Sequence, residues 1–167
     1  MDFTTLGAGC FWCIEALFLN VSGIVAIEAG YTGGHTKDPT YNSVCSGKTG
    51  HAEVCRIEFN PAIITYSQIL DIFWKIHDPT TLNQQGADIG TQYRSAIYYN
   101  SEQQLEIAKE SKERYMIDFD KPIITEITKL EDYYKAEDYH QNYYNNNPEN
   151  PYCQFVIRPK LEKFKKE

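Results

Sequence analysis

Apolar positions along the chain switch between two periods. Thr4 to Ala8 reads as a short strand, and after the small residues Gly7, Ala8 and Gly9 the spacing becomes helical from Phe11 to Leu19. Phe11, Ile14 and Phe18 then share one face. Ile24 to Ala29 suits a buried strand. From Glu53 to Phe59 the pattern alternates, with Glu53, Cys55, Ile57 and Phe59 on one face and Arg56 and Glu58 on the other. Thr65-Tyr66-Ser67-Gln68 has the form of a capping box, in which the Thr oxygen takes an N–H three residues on and the Gln side chain returns to the Thr N–H. It predicts a helix carrying Tyr66, Ile69, Leu70, Phe73, Trp74 and His77 inward and ending before Pro79.

Ser95 to Tyr99 suits a strand, and Ser101-Glu102-Gln103-Gln104 is a second capping box that opens a helix to about Tyr115. Ile123 to Leu130 is a β-branched strand. The order β-α-β-β-α-β-α-β predicts an α/β (α+β) two-layer sandwich with a mixed sheet and a ferredoxin-like core. Between Gly30 and Gly50 glycines punctuate a segment with no usable period, and long glycine-rich loops tend to carry function. After Tyr139 the chain is rich in Asn, Pro and Tyr, which predicts a C-terminal coil tail, 140–167, wrapped over the surface and carrying Cys153. With no repeat and no linker, 1–167 reads as a single domain.

Composition narrows the function classes. At 167 residues and 42% hydrophobic the chain can bury one core, and a net charge of −7 argues against a general nucleic-acid binder. The basic ending Arg158 to Lys166 reads as a solvated helix or strand flank. No apolar run approaches the ~20 residues of a membrane span and no signal-peptide pattern opens the chain, so the expectation is a cytoplasmic protein with no membrane attachment. Five cysteines, an odd count, do not suit a fully paired framework, and redox or catalytic use of some of them fits better.

Cys10 opens the first helix, where free backbone N–H groups and the helix dipole favour a thiolate, the nucleophilic form. Cys13 is either its resolving partner, as in other C-x-x-C redox sites, or simply the next residue on the helix. Cys55 and Cys45 read as structural, and Cys153 as a tail thiol that either resolves Cys10 or stays free. Glu53, held on an apolar strand face, should have its pKa raised by desolvation and could then donate a proton to a developing oxyanion. Phe11 and Trp12 could wall an apolar pocket or serve as core, and His51 and His140 read as structural. Gly7-x-Gly9 is no dinucleotide fingerprint, because Trp12 takes the third glycine position. A single C-x-x-C without a second ligand pair is a poor zinc site.

Eight strings, Gly9-Cys10-Phe11-Trp12, Gly30-Tyr31-Thr32-Gly33-Gly34, Pro39-Thr40-Tyr41, Val44-Cys45-Ser46-Gly47, Gly50-His51-Ala52-Glu53, His77-Asp78-Pro79, Gly90-Thr91-Gln92-Tyr93-Arg94-Ser95 and Ala136-Glu137-Asp138-Tyr139-His140-Gln141, together resemble the peptide methionine sulfoxide reductase A family. They follow the family order through nearly the whole chain. The resemblance implies reduction of methionine S-sulfoxide, free or in proteins, as repair of oxidative damage. Cys10 would attack the sulfoxide sulfur while Glu53 protonates its oxygen and Tyr41 and Tyr93 hold it. Phe11 and Trp12 would receive the S-methyl group, and Asp88 the backbone amide or amine of the substrate.

The resemblance further implies that the sulfenic acid left on Cys10 condenses with a second thiol, and that a thioredoxin-type dithiol reduces the disulfide, with no bound cofactor or metal and a monomeric enzyme. Cys13 departs from the commonest family pattern, which has glycine there. The tail Asn147-Pro148-Glu149-Asn150-Pro151-Tyr152-Cys153 is similar to the family's resolving-cysteine segment. Cys153 is therefore the expected partner, the more so because two helical residues three apart must strain to form a disulfide. Cys13 stays open as the alternative. A general C-x-x-C thiol-disulfide oxidoreductase is the rival function, and it would need neither Glu53 nor the tyrosines.

Overall fold

Strand β1 (Asp2–Gly7) runs through the middle of a mixed sheet in a computed structural model of the protein, which describes residues 1–166. Helix α1 (Phe11–Phe18) follows, then β2 (Ile24–Thr32), the short α2 (Tyr41–Cys45), β3 (Ala52–Phe59) and α3 (Tyr66–Ile76). A two-residue pair, β4 (Gln84–Gln85) and β5 (Asp88–Ile89), forms a separate ladder. β6 (Ala96–Tyr99), α4 (Glu102–Tyr115), β7 (Glu126–Lys129), β8 (Tyr133–Lys135), α5 (Tyr143–Asn146) and α6 (Arg158–Lys166) complete the chain.

The large sheet has the order β7-β6-β1-β3-β2-β8. Its inner four strands, β6-β1-β3-β2, are antiparallel to their neighbours and joined through α1 and α3, which is the predicted ferredoxin-like arrangement. β7 pairs with β6 in parallel, so the sheet is mixed. Register aligns the inward row: Leu6 lies opposite both Cys55 and Ile97, and Tyr31 opposite Glu53. The alternation read in β3 holds. Cys55, Ile57 and Phe59 join the main core under the helices, while Ala52 and Val54 pack with Ala96 and Tyr98 on the other face. Arg56 lies on that other side too, 4.2 Å from the Phe3 ring centroid.

Both capping boxes start helices, but only the first is complete. Thr65 Oγ1 accepts from Gln68 N, and Gln68 Oε1 accepts from Thr65 N. At α4, Ser101 caps Gln104 N, whereas the Gln104 side chain spans to Asn100 N and Phe3 O, tying the helix to β1. Four expectations need correction. β2 reaches Thr32 and is buried in its second half, Val25 in the first half being exposed, because β8 pairs along Gly30–Thr32 and Phe11 of α1 packs on Tyr31. The glycine-rich segment contains α2, started by a Thr40–Ser43 capping box that lacks hydrophobic periodicity. β7 is shorter than Ile123 to Leu130, since only Glu126–Lys129 finds a partner. The tail is not coil throughout: a π-helical turn at Cys153–Ile157 leads into α6, with Cys153, Ile157 and Leu161 buried.

Candidate active site

The turn between β1 and α1 carries the first functional group. Gly9 adopts φ 89°, which L-residues rarely tolerate, and a Cβ there would press on the Gln85 side chain. Gln85 in turn binds Asp78 N and Asp78 O at 2.9 Å each, so the β4–β5 pair is drawn against the turn. Cys10 is the N-cap of α1, with extended dihedrals (φ −63°, ψ 129°), and its carbonyl accepts from Cys13 N at 3.1 Å. Cys10 therefore stands outside the helix. Strain between two helical positions does not apply to the Cys10–Cys13 pair.

Burial pushes the Cys10 thiol well above the ordinary thiol range, the Cys13 thiol beside it and the Glu53 carboxyl adding to the shift. The Trp12 N–H opposes it without prevailing. Desolvation thus works against the thiolate that a place at the helix start favours, since Cys10 is only 8% exposed.

Glu53 lies one strand away and fully buried, with Oε1 accepting from Phe11 N at 3.2 Å. Burial raises its pKa to about 8 despite that bond, and Asp88 and Cys13 add to the rise. Its Oε2 is buried and meets no hydrogen-bond partner among the described residues. A protonated carboxyl here carries an O–H that no described residue takes up. Tyr41 and Tyr93 are both half-buried, and both have pKa values raised by burial first and by Glu53 next, which sets the two phenols around that carboxyl.

An aromatic cluster backs this group. Phe11 is fully buried, with ring centroids 5.0 Å from His140, 5.7 Å from Tyr31 and 6.4 Å from Tyr41. Trp12 is half-buried and lies 6.4 Å from Tyr41. Its indole N–H donates to His140 Nδ1 at 3.0 Å, and Tyr143 stacks on its face at 3.8 Å. Asp88, at the start of β5, accepts from the Tyr152 hydroxyl at 2.6 Å, and the same hydroxyl lies 3.6 Å from Cys13 Sγ.

The remaining sequence candidates divide. Cys55 is core, its thiol donating to Phe11 O at 3.4 Å. His51 is structural, accepting from Gly34 N and donating from Nε2 to Thr36 O. Cys45, read as structural, is instead exposed, four residues along α2 from Tyr41. Cys153 is buried in the tail turn, where burial raises its pKa and Cys13 is the charge that it feels.

Sequence reasoning missed Tyr143, Tyr152 and Glu137. Glu137 accepts from Tyr31 Oη and Tyr41 N, both at 2.9 Å, and so holds the Tyr41 backbone. Glu15, a buried carboxyl in α1, accepts from Tyr143 N at 3.3 Å, and Gln141 pairs through its side-chain amide with both Ala29 N and Ala29 O. The density of Tyr and Asn after Tyr139 was the available signal, but nothing local says which of them turns inward. No group of three His, Cys, Asp or Glu side chains suited to a metal ion occurs among the described residues. Nor is any described helix long and apolar enough to cross a membrane.

Comparison with known proteins agrees with this arrangement. The family model for peptide methionine sulfoxide reductase matches residues 2–167. The chain is 55% identical over 168 residues to peptide methionine sulfoxide reductase MsrA of Trichodesmium erythraeum, covering 99% of this chain and 95% of that one. Reduced Mxr1 from Saccharomyces cerevisiae superposes with a TM-score of 0.87 at 38% identity, over 91% of this chain and 88% of that one. Mxr1 in complex with Trx2 superposes at 0.62 with 26% identity, over 85% and 84% of the two chains. The family model spans nearly the whole chain and the curated relative matches it over almost its full length, so the chain belongs to the peptide methionine sulfoxide reductase family.

Proposed function

We propose that Cys10 carries the nucleophilic step of methionine S-sulfoxide reduction and that Glu53 is its proton donor. The Glu53 carboxyl carries this reading: neutral to about pH 8, buried, and with Oε2 unpartnered beside the residue that follows Cys10. A sulfoxide oxygen leaves sulfur only when it gains protons, so an acid and two phenols around it lower the barrier at the point where charge develops. Tyr41 and Tyr93 hold the oxygen. Trp12 presents its half-exposed indole to the S-methyl group with Phe11 packed behind, and Asp88 takes the substrate's amide or amine. Cys10 accepts the oxygen and methionine leaves, the proton that Cys10 loses replacing the one given by Glu53, so a thiol and a sulfoxide become a sulfenic acid and a thioether.

The geometry favours Cys13 over Cys153 as the thiol that first meets the sulfenic acid. Cys13 donates its backbone N–H to the Cys10 carbonyl at 3.1 Å, the N-cap dihedrals of Cys10 leave its side chain free of the helix, and the neighbouring Cys10 thiol lowers the Cys13 pKa against the effect of burial. Cys153, buried in the tail turn that packs on α1, enters by exchange with the Cys10–Cys13 bridge. A thioredoxin-type dithiol closes the cycle, as the Trx2 complex of the yeast relative supports. This need for a dithiol donor, with five free thiols, favours the cytoplasm, and we read 1–167 as one domain. The rival exchange activity leaves the buried Glu53 and the two phenols without a task.

Single turnover of the prereduced protein with separated sulfoxide epimers, followed by mass mapping of the bridge, tests this reading. Methionine from the S epimer alone and a bridge that includes Cys10 is the expected result. Unchanged thiols and no methionine from either epimer would overturn it.

A further inference from the structure

Tyr152 sits between two groups that the reaction uses separately. Its hydroxyl has one proton, and at 2.6 Å from Asp88 Oδ2 that proton is committed to the carboxylate, which has none to give. The Cys13 sulfur 3.6 Å away therefore meets a lone pair, and S–H is the donor of that contact. The chain of hydrogen bonds runs in one direction: Cys13 S–H to Tyr152 O–H to Asp88. Tyr152 is partly buried, and its position is set by its own N–H on Asn150 Oδ1 at 2.8 Å.

We propose that Tyr152 and Asp88 form the proton path that activates Cys13 for the resolving step. This rests on the reading of Cys13 as the first resolving thiol. Condensation joins Cys10 Sγ–OH and Cys13 Sγ–H into a disulfide and water. The Cys13 electron pair forms the S–S bond and the Cys10 S–O bond breaks. The departing hydroxide takes the Glu53 proton, while the Cys13 proton passes to Tyr152 as Tyr152 hands its own to Asp88, and Asp88 releases it to solvent. Acid and base thus sit on opposite sides of the reacting pair: Glu53 serves the leaving oxygen and Asp88, acting through Tyr152, the incoming sulfur. Asp88 is a positioning residue in this step, and the group touching the reacting sulfur is the Tyr152 hydroxyl.

The test generates the Cys10 sulfenic acid with hydrogen peroxide, which bypasses the sulfoxide site, in a Cys153→Ser background that confines condensation to Cys10 and Cys13. The rate of bridge formation is followed against pH by quenched alkylation and mass mapping. Tyr152→Phe should slow condensation at least tenfold at pH 7 and impose a slope near one decade per pH unit, since solvent hydroxide must then ionise Cys13. Asp88→Asn should shift the profile in the same direction. Tyr152→Phe and Asp88→Asn profiles that both overlay the parent's would overturn the proton path while leaving Cys13 as resolver. No Cys10–Cys13 bridge in the Cys153→Ser protein would instead overturn the resolving role, and the path with it.

Discussion

Tyr143 lies flat on Trp12, ring centroids 3.8 Å apart and planes 6° from parallel, joining the tail to the first turn of α1. The stack is held from behind, because Glu15 in the same helix accepts the Tyr143 N–H and Asn150 donates to the Tyr143 hydroxyl. Offset aromatic pairs contribute ~0.5–1.5 kcal/mol beyond their area. Tyr143→Ala should therefore loosen Trp12 and raise KM for the sulfoxide about 3- to 10-fold, with a smaller change in kcat, while Tyr143→Phe stays near wild type. Steady-state kinetics of the two variants decide it. Equal KM values for Tyr143→Ala and wild type would show that Trp12 is held without the stack.

Methionine formation in a single turnover should fall as pH rises through about 8, because Glu53 must carry its proton to give it to the sulfoxide oxygen and its pKa lies there. Glu53→Gln keeps a hydrogen-bond donor but transfers no proton. It should run roughly 10²- to 10⁴-fold slower and lose the alkaline limb assigned to this group. Stopped-flow or quench measurements from pH 6 to 9.5 on both proteins provide the check.

The same carboxyl links stability to pH. Its folded-state pKa of about 8 lies above the unfolded value, so the folded state holds a proton that the unfolded state has already released between the two. Glu53's contribution is fully present below the unfolded pKa, is lost progressively as pH rises, and levels off above about pH 8. Urea unfolding of wild type and Glu53→Gln at pH 5 and pH 8.5 should show the difference moving in favour of the variant at the higher pH. The movement between these two pH values is at most about 4 kcal/mol, and less if water reaches the carboxylate.

Gly34 makes the closest backbone approach near the site. A Cβ there would meet His51 N, Thr49 O and Gly50 C, none of which can swing aside as a side-chain tip would. Gly34 N also donates to His51 Nδ1, fixing the loop that leads into β3 and hence Glu53. Gly34→Ala should destabilise the protein by ~1–3 kcal/mol and lower the rate of sulfoxide reduction even at temperatures where the variant is folded. A denaturation midpoint equal to wild type would show that the loop accommodates the methyl group.

Regular periodicity and local capping chemistry carried most of the fold into the sequence. The alternation from Glu53 to Phe59 told in advance that a carboxylate shares a face with Cys55, Ile57 and Phe59, and the Thr65 capping box marked the start of α3 to the residue, because both depend on neighbours in sequence. The chain length between Cys10 and Glu53 says nothing of their meeting. That follows from β1 and β3 pairing with Leu6 opposite Cys55, which sets Glu53 under the Phe11 N–H. Desolvation was legible for Glu53 but not for Cys10: the helix N-terminus is a local feature, whereas the burial that opposes it comes from elements remote in sequence. The tail resisted reading for the same reason. Tyr143, Tyr152 and Cys153 have no period of their own, and their directions are set by Trp12, Asp88 and the core they pack against. Sequence alone determined the core strands and helices, the inward carboxylate and the family; tertiary packing decided the burial of Cys10, the short helix that ends at Cys45 and the partners of the tail, since each depends on which distant groups pack against it.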